Sequence, residues 1–542
     1  MKKQFATSLD VGSSLENHTG SWRTERPVYI DRLPPCNNAC PAGENTQNWL
    51  YHAEEGNYRA AWEAIMQENP FPAIMGRACY HPCETSCNRG TLDSAVNIHA
   101  VERFLGDHAI EKKWKVELDV KTSGKKVLVV GAGPSGLSAA YHLTRLGHAV
   151  TIVEAGDAPG GMMRYGIPAY RLPRNVIDAE IQRILEMGVE LRLKEKVEDI
   201  PALMKKEKFD ACFVAIGAHL AKRVDIPAPD AGKILDAIGL LRQMETNDEA
   251  PKIGRKVIVY GGGNTALDVA RSVRRLGEEA IIVYRRTREK MPAHDFEVQE
   301  ALEEGIQFHW LRTVKDMSEE SITIEKMALD KDGFPQPTGE YETIAGDTLV
   351  LALGQNVDTH VLDSIPGVEH GKDGVVTVGA NMMTGHPGIF AGGDMVPSER
   401  TITVAVGHGK KAARNIDAYL RGTAYIPKAK HQLATFDKLN TWYYSDADKT
   451  VQPVLADLRR RTTFEEVFGG LDESNALFEA RRCMSCGNCF ECDNCFGVCP
   501  DNAVIKLGTG DRFKFNYDYC KGCGVCVAEC PAGAIEMVAE EI

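Results

Sequence analysis

Fifteen of the sixteen cysteines in this 542-residue chain lie in two groups near its ends, and only Cys212 stands between Cys87 and Cys483. That distribution constrains the fold more than any other feature. A disulfide framework belongs to small secreted domains that cannot build a sufficient core. At 59.5 kDa and 43% hydrophobic residues this chain has ample core, and its length suggests about three or four domains. Met1, Lys2 and Lys3 lead into polar residues up to Ser21 with no apolar stretch, so a secretory signal is not expected. No run approaches the ~18 apolar residues of a membrane helix. The expected location is cytoplasmic, where clustered thiols bind metal or iron–sulfur clusters. Acids outnumber bases 76 to 63, a net charge of −13 without a basic block, which argues against a nucleic-acid or anionic-membrane partner.

Along the chain, residues 1–30 are polar and read as an extended arm. Residues 31–123 carry five cysteines among segments with helical spacing, Trp49–Met66 and Val96–Ile110, and end in a linker at Lys121–Lys125. From Lys126 the pattern becomes strand, glycine turn, helix, strand, the signature of a βαβ unit. It occurs at Val127–Val153 and again at Val257–Tyr284, 130 residues later. The apolar run Thr348–Leu353 predicts another strand, and Gly388–Asp394 leads into a helix from Thr401. The expected division places one nucleotide-binding domain at 124–250 and 346–425, a second inserted at 251–345, a connector at 426–480 and a cysteine-rich module at 481–542.

The first unit reads Val127-Leu-Val-Val-Gly131-Ala-Gly133-Pro134-Ser135-Gly136. Gly131 makes the tight turn, Gly133 lets the backbone approach a pyrophosphate, and Gly136 lets helix and strand pack closely. The helix N-terminus adds partial positive charge for the phosphates. Glu154, twenty-three residues after Gly131, is placed for ribose hydroxyls. The second unit, Val257-Ile-Val-Tyr-Gly261-Gly-Gly263-Asn264-Thr265-Ala266, has Tyr284 at the equivalent offset, followed by Arg285 and Arg286. A carboxylate there would repel a 2′-phosphate, whereas guanidinium groups bind it. NADP(H) is therefore expected, with NAD(H) as the alternative if these arginines form only a solvated turn. Two fingerprints imply FAD in the first domain and the nicotinamide in the second. Ile389-Phe-Ala-Gly-Gly393-Asp394 resembles the late glycine–Asp motif of flavoprotein reductases, whose Asp binds the ribityl chain. The helix from Thr401, with Thr403 in its first turn, would aim its dipole at the flavin. Gly161 and Gly217, the latter closing the run Phe209–Gly217, complete the expected flavin contacts. No Cys-x4-Cys pair follows the first unit, so a redox disulfide is not expected, and Cys212 in an apolar strand reads as core.

The C-terminal module contains Cys489-x2-Cys492-x2-Cys495-x3-Cys499-Pro and, 31 residues on, Cys520-x2-Cys523-x2-Cys526-x3-Cys530-Pro. Each resembles the bacterial ferredoxin run, in which the fourth cysteine ligates the other cluster. That resemblance pairs Cys489, Cys492, Cys495 and Cys530 on one cluster, and Cys520, Cys523, Cys526 and Cys499 on the other. Zinc is the competing ligand, but two full runs with their prolines favour iron–sulfur. Cys483 and Cys486 lie outside the register. Cys36, Cys40, Cys79, Cys83 and Cys87 at the other end supply five ligands where two cubane clusters need eight.

Residues 31–425 resemble the small subunit of NADPH-dependent glutamate synthase. They are also similar to the electron-input half of dihydropyrimidine dehydrogenase and to the large subunit of NADH-dependent ferredoxin:NADP oxidoreductase. The matching stretches are Cys36-Asn-Asn-Ala-Cys40-Pro, Cys79 to Cys87, both glycine fingerprints, Tyr284-Arg-Arg, Met291-Pro-Ala and Ala391-Gly-Gly-Asp394. The resemblance implies a multidomain α/β protein: a helical N-terminal domain with two 4Fe–4S clusters, two Rossmann-like domains and an α+β ferredoxin domain. In that family an Arg-Cys-x2-Cys precedes the position of Cys36, and one cluster has a Gln or Glu ligand. Here no such pair precedes Cys36, yet Glu479-Ala-Arg-Arg-Cys483-Met-Ser-Cys486 looks like the missing piece, transposed. A lone helix glutamate is ordinarily a solvated carboxylate, but matching Val96-Asn-Ile-His-Ala-Val-Glu102 puts the noncysteine ligand on Glu102. The resemblance then implies one cluster on Cys36, Cys87, Cys483 and Cys486 and another on Cys40, Cys79, Cys83 and Glu102. Four clusters account for every cysteine except Cys212.

The expected function is an electron-transfer flavoenzyme subunit linking NADP(H), FAD and four 4Fe–4S clusters, with no catalytic side-chain acid or base because the flavin carries the hydride chemistry. No organic-substrate domain is recognisable. The expected partner is therefore a catalytic subunit (a 2-oxoacid, aldehyde or formate oxidoreductase) or ferredoxin. The alternatives are a self-sufficient reductase of a quinone, metal ion or xenobiotic, the glutamate synthase small subunit itself, and a cluster-bearing scaffold with empty glycine loops.

Overall fold

Two parallel sheets carry the two glycine fingerprints, as expected of βαβ units whose strands are buried on both faces. The computed structural model describes residues 16–222, 224–228, 233–246 and 251–540. Residues 1–15, on which the expectation about a secretory signal rests, lie outside the described residues. The first sheet has the order Ile389–Ala391, Ala211–Val214, Lys126–Val130, Ala149–Val153, Glu190–Arg192, all parallel. The second runs Gln307–Trp310, Glu279–Tyr284, Lys256–Tyr260, Thr348–Leu351, Lys233–Asp236, also parallel.

Two strands, Lys233–Asp236 and Thr348–Leu351, depart from the expected division, which placed both in the first domain. Thr348–Leu351, read as opening the returning part of the first domain, instead lies between Lys256–Tyr260 and Lys233–Asp236 in the second sheet. A fully buried four-residue apolar run suits the interior of either sheet, and nothing in its pattern distinguishes them. The second unit also bears an antiparallel meander, Arg312–Met317, Ser321–Leu329 and Pro335–Ala345, which the sequence analysis missed.

The N-terminal cysteines sit on short turns, Cys36 in Pro35–Ala39, Cys40 just after it, Cys79 just after Pro72–Ala78 and Cys83 in Pro82–Thr85, packed among helices Thr46–Glu54, Tyr58–Met66, Pro72–Ala78 and Ile98–Glu111. Helices Pro72–Ala78 and Ile98–Glu111 meet backbone to backbone. A Cβ on Gly76 would stand 2.4 Å from Arg103 Cβ, and one on Gly106 would stand 2.3 Å from Ala73 N. This close approach brings Cys79, at the end of one helix, towards Glu102 on the other. The apolar core of Trp49, Leu50, Ile65, Val101 and Leu105 is completed by Leu471, Ala476 and Ala480, the last two on helix Glu473–Arg481. The end of the supposed connector thus belongs to the N-terminal helical layer.

The C-terminal module has a hairpin, Val504–Gly508 with Arg512–Phe515, and a strand Ile535–Ala539. That last strand pairs antiparallel with Glu25–Tyr29, from Glu25 opposite Ala539 to Tyr29 opposite Ile535. The arm expected at 1–30 is therefore a sheet strand over Glu25–Tyr29. Its partner lies some 500 residues away in sequence, beyond any local signal. Among the described residues no helix is long and apolar enough to cross a membrane.

Candidate functional site

The first glycine turn has no room for side chains at two positions and open space at the third. Gly131 has φ +105°, and a Cβ there would lie 2.4 Å from Ala215 O; one on Gly136 would lie 2.0 Å from Gly131 O. At Gly133, by contrast, the nearest atom to an added Cβ is Gly161 Cα at 4.0 Å, leaving a face where a pyrophosphate can reach the backbone. Pro134 follows as the first residue of helix Pro134–Arg145, its fixed φ suited to that position. Ser135 Oγ is buried with no hydrogen-bond partner among the described residues, and Gly393 packs against it. An orphaned hydroxyl beside an open glycine fits a dinucleotide. Gly161 and Gly217 both adopt positive φ, as their turns require.

Glu154 is fixed before any ribose arrives: its Oε2 accepts from Ala132 N at 2.7 Å and its Oε1 from Gly156 N at 2.7 Å. Glu154→Ala strands both donors, at about 1–3 kcal/mol for each buried unsatisfied group. Most of the flavin should then be lost on gel filtration, read as the flavin-to-protein absorbance ratio; a full complement would refute the assignment. Burial pushes the Asp394 carboxyl up to about 6, with Arg400 opposing. Helix Ile402–Leu420 is capped by Thr401, whose hydroxyl accepts from Val404 N. Thr403, expected to touch flavin, directs its buried hydroxyl to Cys79 Sγ at 3.0 Å.

The second turn repeats the arrangement. A Cβ on Gly261 would stand 2.3 Å from Ala352 O, while Gly263 faces open space with Pro292 Cγ at 3.9 Å. Thr265 is half-buried in the first turn of helix Asn264–Arg275. Asn264 Oδ1 accepts from His294 N at 3.1 Å, and its Nδ2 donates to Tyr80 Oη at 2.7 Å. Tyr80 stacks on His294 with ring centroids 3.8 Å apart. The residue after Cys79 therefore touches the second glycine loop, a contact no local motif announces. Arg285 is exposed and Arg286 half-buried at the end of strand Glu279–Tyr284. Neither makes an ion pair among the described residues, and Arg286 Nε is buried without an acceptor.

The ferredoxin-like cysteines line two separate cavities. One contains Cys489, Cys492, Cys495 and Cys530; the other contains Cys499, Cys520, Cys523 and Cys526. Each cavity thus draws its fourth cysteine from the opposite run. Ala503 N donates to Cys499 Sγ at 3.2 Å, Ala534 N to Cys530 Sγ at 3.4 Å, and Tyr29 Oη lies 3.2 Å from Cys495 Sγ. In the helical layer, burial holds the Cys36 thiol well up, reinforced by nearby Cys483, Cys87 and Cys486. Cys40 is raised by burial, with Glu44, Cys79 and Glu102 beside it, and Cys83 by burial, with Cys79, Glu84 and Cys40 beside it. Thiols that raise one another in a buried cradle ionise together only around a cation, which suits cluster ligation. Cys212 stands apart, raised by burial alone.

What holds Cys483 in the helical layer is its neighbour Arg482, 2% exposed. Its guanidinium donates to Ser94 O at 2.6 Å, Ala95 O at 3.1 Å, Glu479 Oε2 at 2.9 Å and Ala447 O at 3.0 Å. Glu479 in turn accepts from Asn97 N at 2.9 Å. Glu102 is buried, accepts from Asn69 Nδ2 at 3.0 Å, and has its carboxyl held well up by burial and by Glu44. Glu44 was missed: it is a second buried carboxylate beside Cys40, satisfied by Asn69 Nδ2 at 2.8 Å and Trp49 Nε1 at 3.2 Å. In sequence it is an isolated acid in a polar loop.

The pyridine nucleotide-disulphide oxidoreductase family model matches residues 95–206 and 125–409. The model for dihydropyrimidine dehydrogenase domain II, 4Fe–4S cluster, matches 15–114, and a 4Fe–4S binding domain model matches 513–536, over the second cysteine run. The chain is 34% identical over 499 residues to NADP(+)-dependent formate dehydrogenase subunit beta of Moorella thermoacetica, covering 83% of this chain and 70% of that protein. It is 32% identical to NADPH-Fe(3+) oxidoreductase subunit beta of Geobacter sulfurreducens, covering 84% and 76%. It is also 32% identical to the glutamate synthase (NADPH) small chain of Escherichia coli, covering 71% and 89%.

Proposed function

Because the chain belongs to the pyridine nucleotide-disulphide oxidoreductases, among the glutamate synthase small-subunit-like FAD- and iron–sulfur-dependent NAD(P)H oxidoreductases, we propose that it is the nicotinamide-coupling subunit of a larger oxidoreductase. Bound flavin supplies the conversion between a hydride pair and single electrons, and bound 4Fe–4S clusters supply one-electron sites. Gly131, Gly133, Ser135 and Glu154 hold the flavin dinucleotide, with Asp394 at its ribityl chain. Gly261, Gly263 and Asn264 hold the nicotinamide dinucleotide, with Arg285 and Arg286 on its 2′-phosphate. The clusters are carried by Cys36, Cys87, Cys483 and Cys486; by Cys40, Cys79, Cys83 and Glu102; and by the two crossed ferredoxin sets. In this reading the helical cluster unit comprises residues 31–123 together with the returning segment up to Cys486.

The observation that carries the proposal is the hydrogen bond from Thr403 Oγ1 to Cys79 Sγ. The helix whose first turn faces the flavin site directly touches a cluster ligand, so electron transfer between the two needs no moving part. Three relatives are named as subunits or chains of larger enzymes, and the partner proposed here is likewise a catalytic oxidoreductase subunit, with ferredoxin as a further acceptor. Anaerobic purification of the native complex tests this. A stoichiometric dehydrogenase subunit should co-purify with the chain. An isolated chain that turns over steadily with ferric citrate or a quinone would replace the proposal by a self-sufficient reductase.

A further inference from the structure

Segment 433–452 has almost no regular structure, yet it crosses the seam between the helical layer and the ferredoxin module. At the ferredoxin end, Asn440 N donates to Pro531 O at 3.1 Å and its Nδ2 donates to Ala528 O at 2.8 Å, on either side of Cys530, while Tyr443 Oη donates to Glu529. At the helical end, Tyr444 Oη donates to Met484 O at 3.0 Å, within the Cys483–Cys486 turn. Arg89, two residues after Cys87, donates to Ser445 O at 2.7 Å. Tyr444 is half-buried, and its phenol is held well up by burial and by Cys486 and Cys483 on one side and Cys492 and Cys530 on the other. Only Gly487 and Asn488 separate Cys486 from Cys489, so the two cradles adjoin here.

We propose that Tyr444 is a positioning residue for electron transfer: its ring closes the seam between the cradle of Cys36, Cys87, Cys483 and Cys486 and that of Cys489, Cys492, Cys495 and Cys530, and single electrons cross between the two units at this side chain. The inference rests on the cluster sets of the proposed function. Each crossing oxidises one site by one electron and reduces the other by one; no proton moves and no bond changes at Tyr444. The phenol donates to the Met484 carbonyl beside the turn that carries Cys483 and Cys486, and the ring, kept by phenylalanine, is the part that matters. In this proposal the ring holds the two cradles at a fixed separation by close packing.

The test uses the full-length protein, reconstituted anaerobically, with Tyr444→Phe, Tyr444→Leu and Tyr444→Ala. Iron per chain is measured first, then the chain is mixed with NADPH and freeze-quenched for electron paramagnetic resonance. Tyr444→Phe keeps the ring and should match wild type in iron and in the rate at which the ferredoxin signals appear. Tyr444→Ala and Tyr444→Leu should leave flavin bleaching unchanged but delay the ferredoxin signals on the order of tenfold, since small displacements of positioned groups are costly. The magnetic interaction between the two adjacent clusters should weaken in parallel. A fully loaded Ala or Leu variant with wild-type appearance rates overturns the proposal, and so does a Phe variant as slow as Ala. A wild type holding ~8 rather than ~16 irons would instead defeat the cluster assignment.

Discussion

Replacing Cys483 and Cys486 together by serine should lower the iron content from ~16 to ~12 atoms per chain, at four per cubane, and the lost cluster should be one of the N-terminal pair. The ferredoxin runs are complete without these two residues, and their eight cysteines line two separate cavities. Cys36, by contrast, has Cys483, Cys87 and Cys486 as its strongest charged neighbours. Serine preserves volume and leaves Arg482 and its contacts with Ser94, Ala95 and Glu479 in place, so the helical layer should still fold. Truncation near residue 480 is a harsher version. It also removes the ferredoxin, and should leave only the cluster on Cys40, Cys79, Cys83 and Glu102, ~4 irons. Iron analysis with low-temperature spectroscopy decides the matter. A double-serine variant that keeps its N-terminal signals and loses a ferredoxin signal, or a truncated protein with about 8 irons, would end the transposition argument.

Arg285→Ala with Arg286→Ala should raise KM for NADPH on the order of ten- to a hundredfold while leaving KM for NADH nearly unchanged. The magnitude follows from losing charge-assisted phosphate contacts worth about 1.5–3 kcal/mol. The upper end is reached only if Arg286, whose Nε is buried without an acceptor, contributes; Arg285 is exposed and well screened. Tyr284 itself should stay in place, since its ring packs on Gly262 and its hydroxyl donates to Lys290 O at 2.7 Å. Flavin content serves as the folding control. Wild-type protein that uses NADH better than NADPH would sink the 2′-phosphate assignment.

The parts of this molecule legible in sequence are those whose chemistry is local. A glycine turn is set by atoms within a few residues, so Gly131, Gly136 and Gly261 declare themselves by spacing, and the ferredoxin runs do so likewise. What escaped detection is set at long range. Thr348–Leu351 is apolar enough for either sheet, and only its neighbours decide. Glu44 is a single acid in sequence, but in the fold it shares the donor Asn69 with Glu102, which the family resemblance alone had singled out. Residues 433–452 lack periodicity because their role is to satisfy other elements' backbone groups. Thr403 looked like a flavin contact from its motif, and only the packing of helix Ile402–Leu420 against Cys79 reveals where its hydroxyl points.

The pairing of Glu25–Tyr29 with Ile535–Ala539, and the proposed sharing of one cluster by Cys36 and Cys483, have a consequence for biosynthesis. The first cysteine of the helical layer leaves the ribosome 447 residues before Cys483, on the order of a minute at ordinary elongation rates. During that interval the nascent chain carries an incomplete cradle that no amount of local folding can close. In the proposed cluster assignment, the Cys36 cradle can be filled only once Cys483 and Cys486 have left the ribosome. In the same assignment, a ribosome that stalls short of Arg482 releases a product lacking two of that cradle's four cysteines, so a truncated message leaves the proposed chain of clusters incomplete.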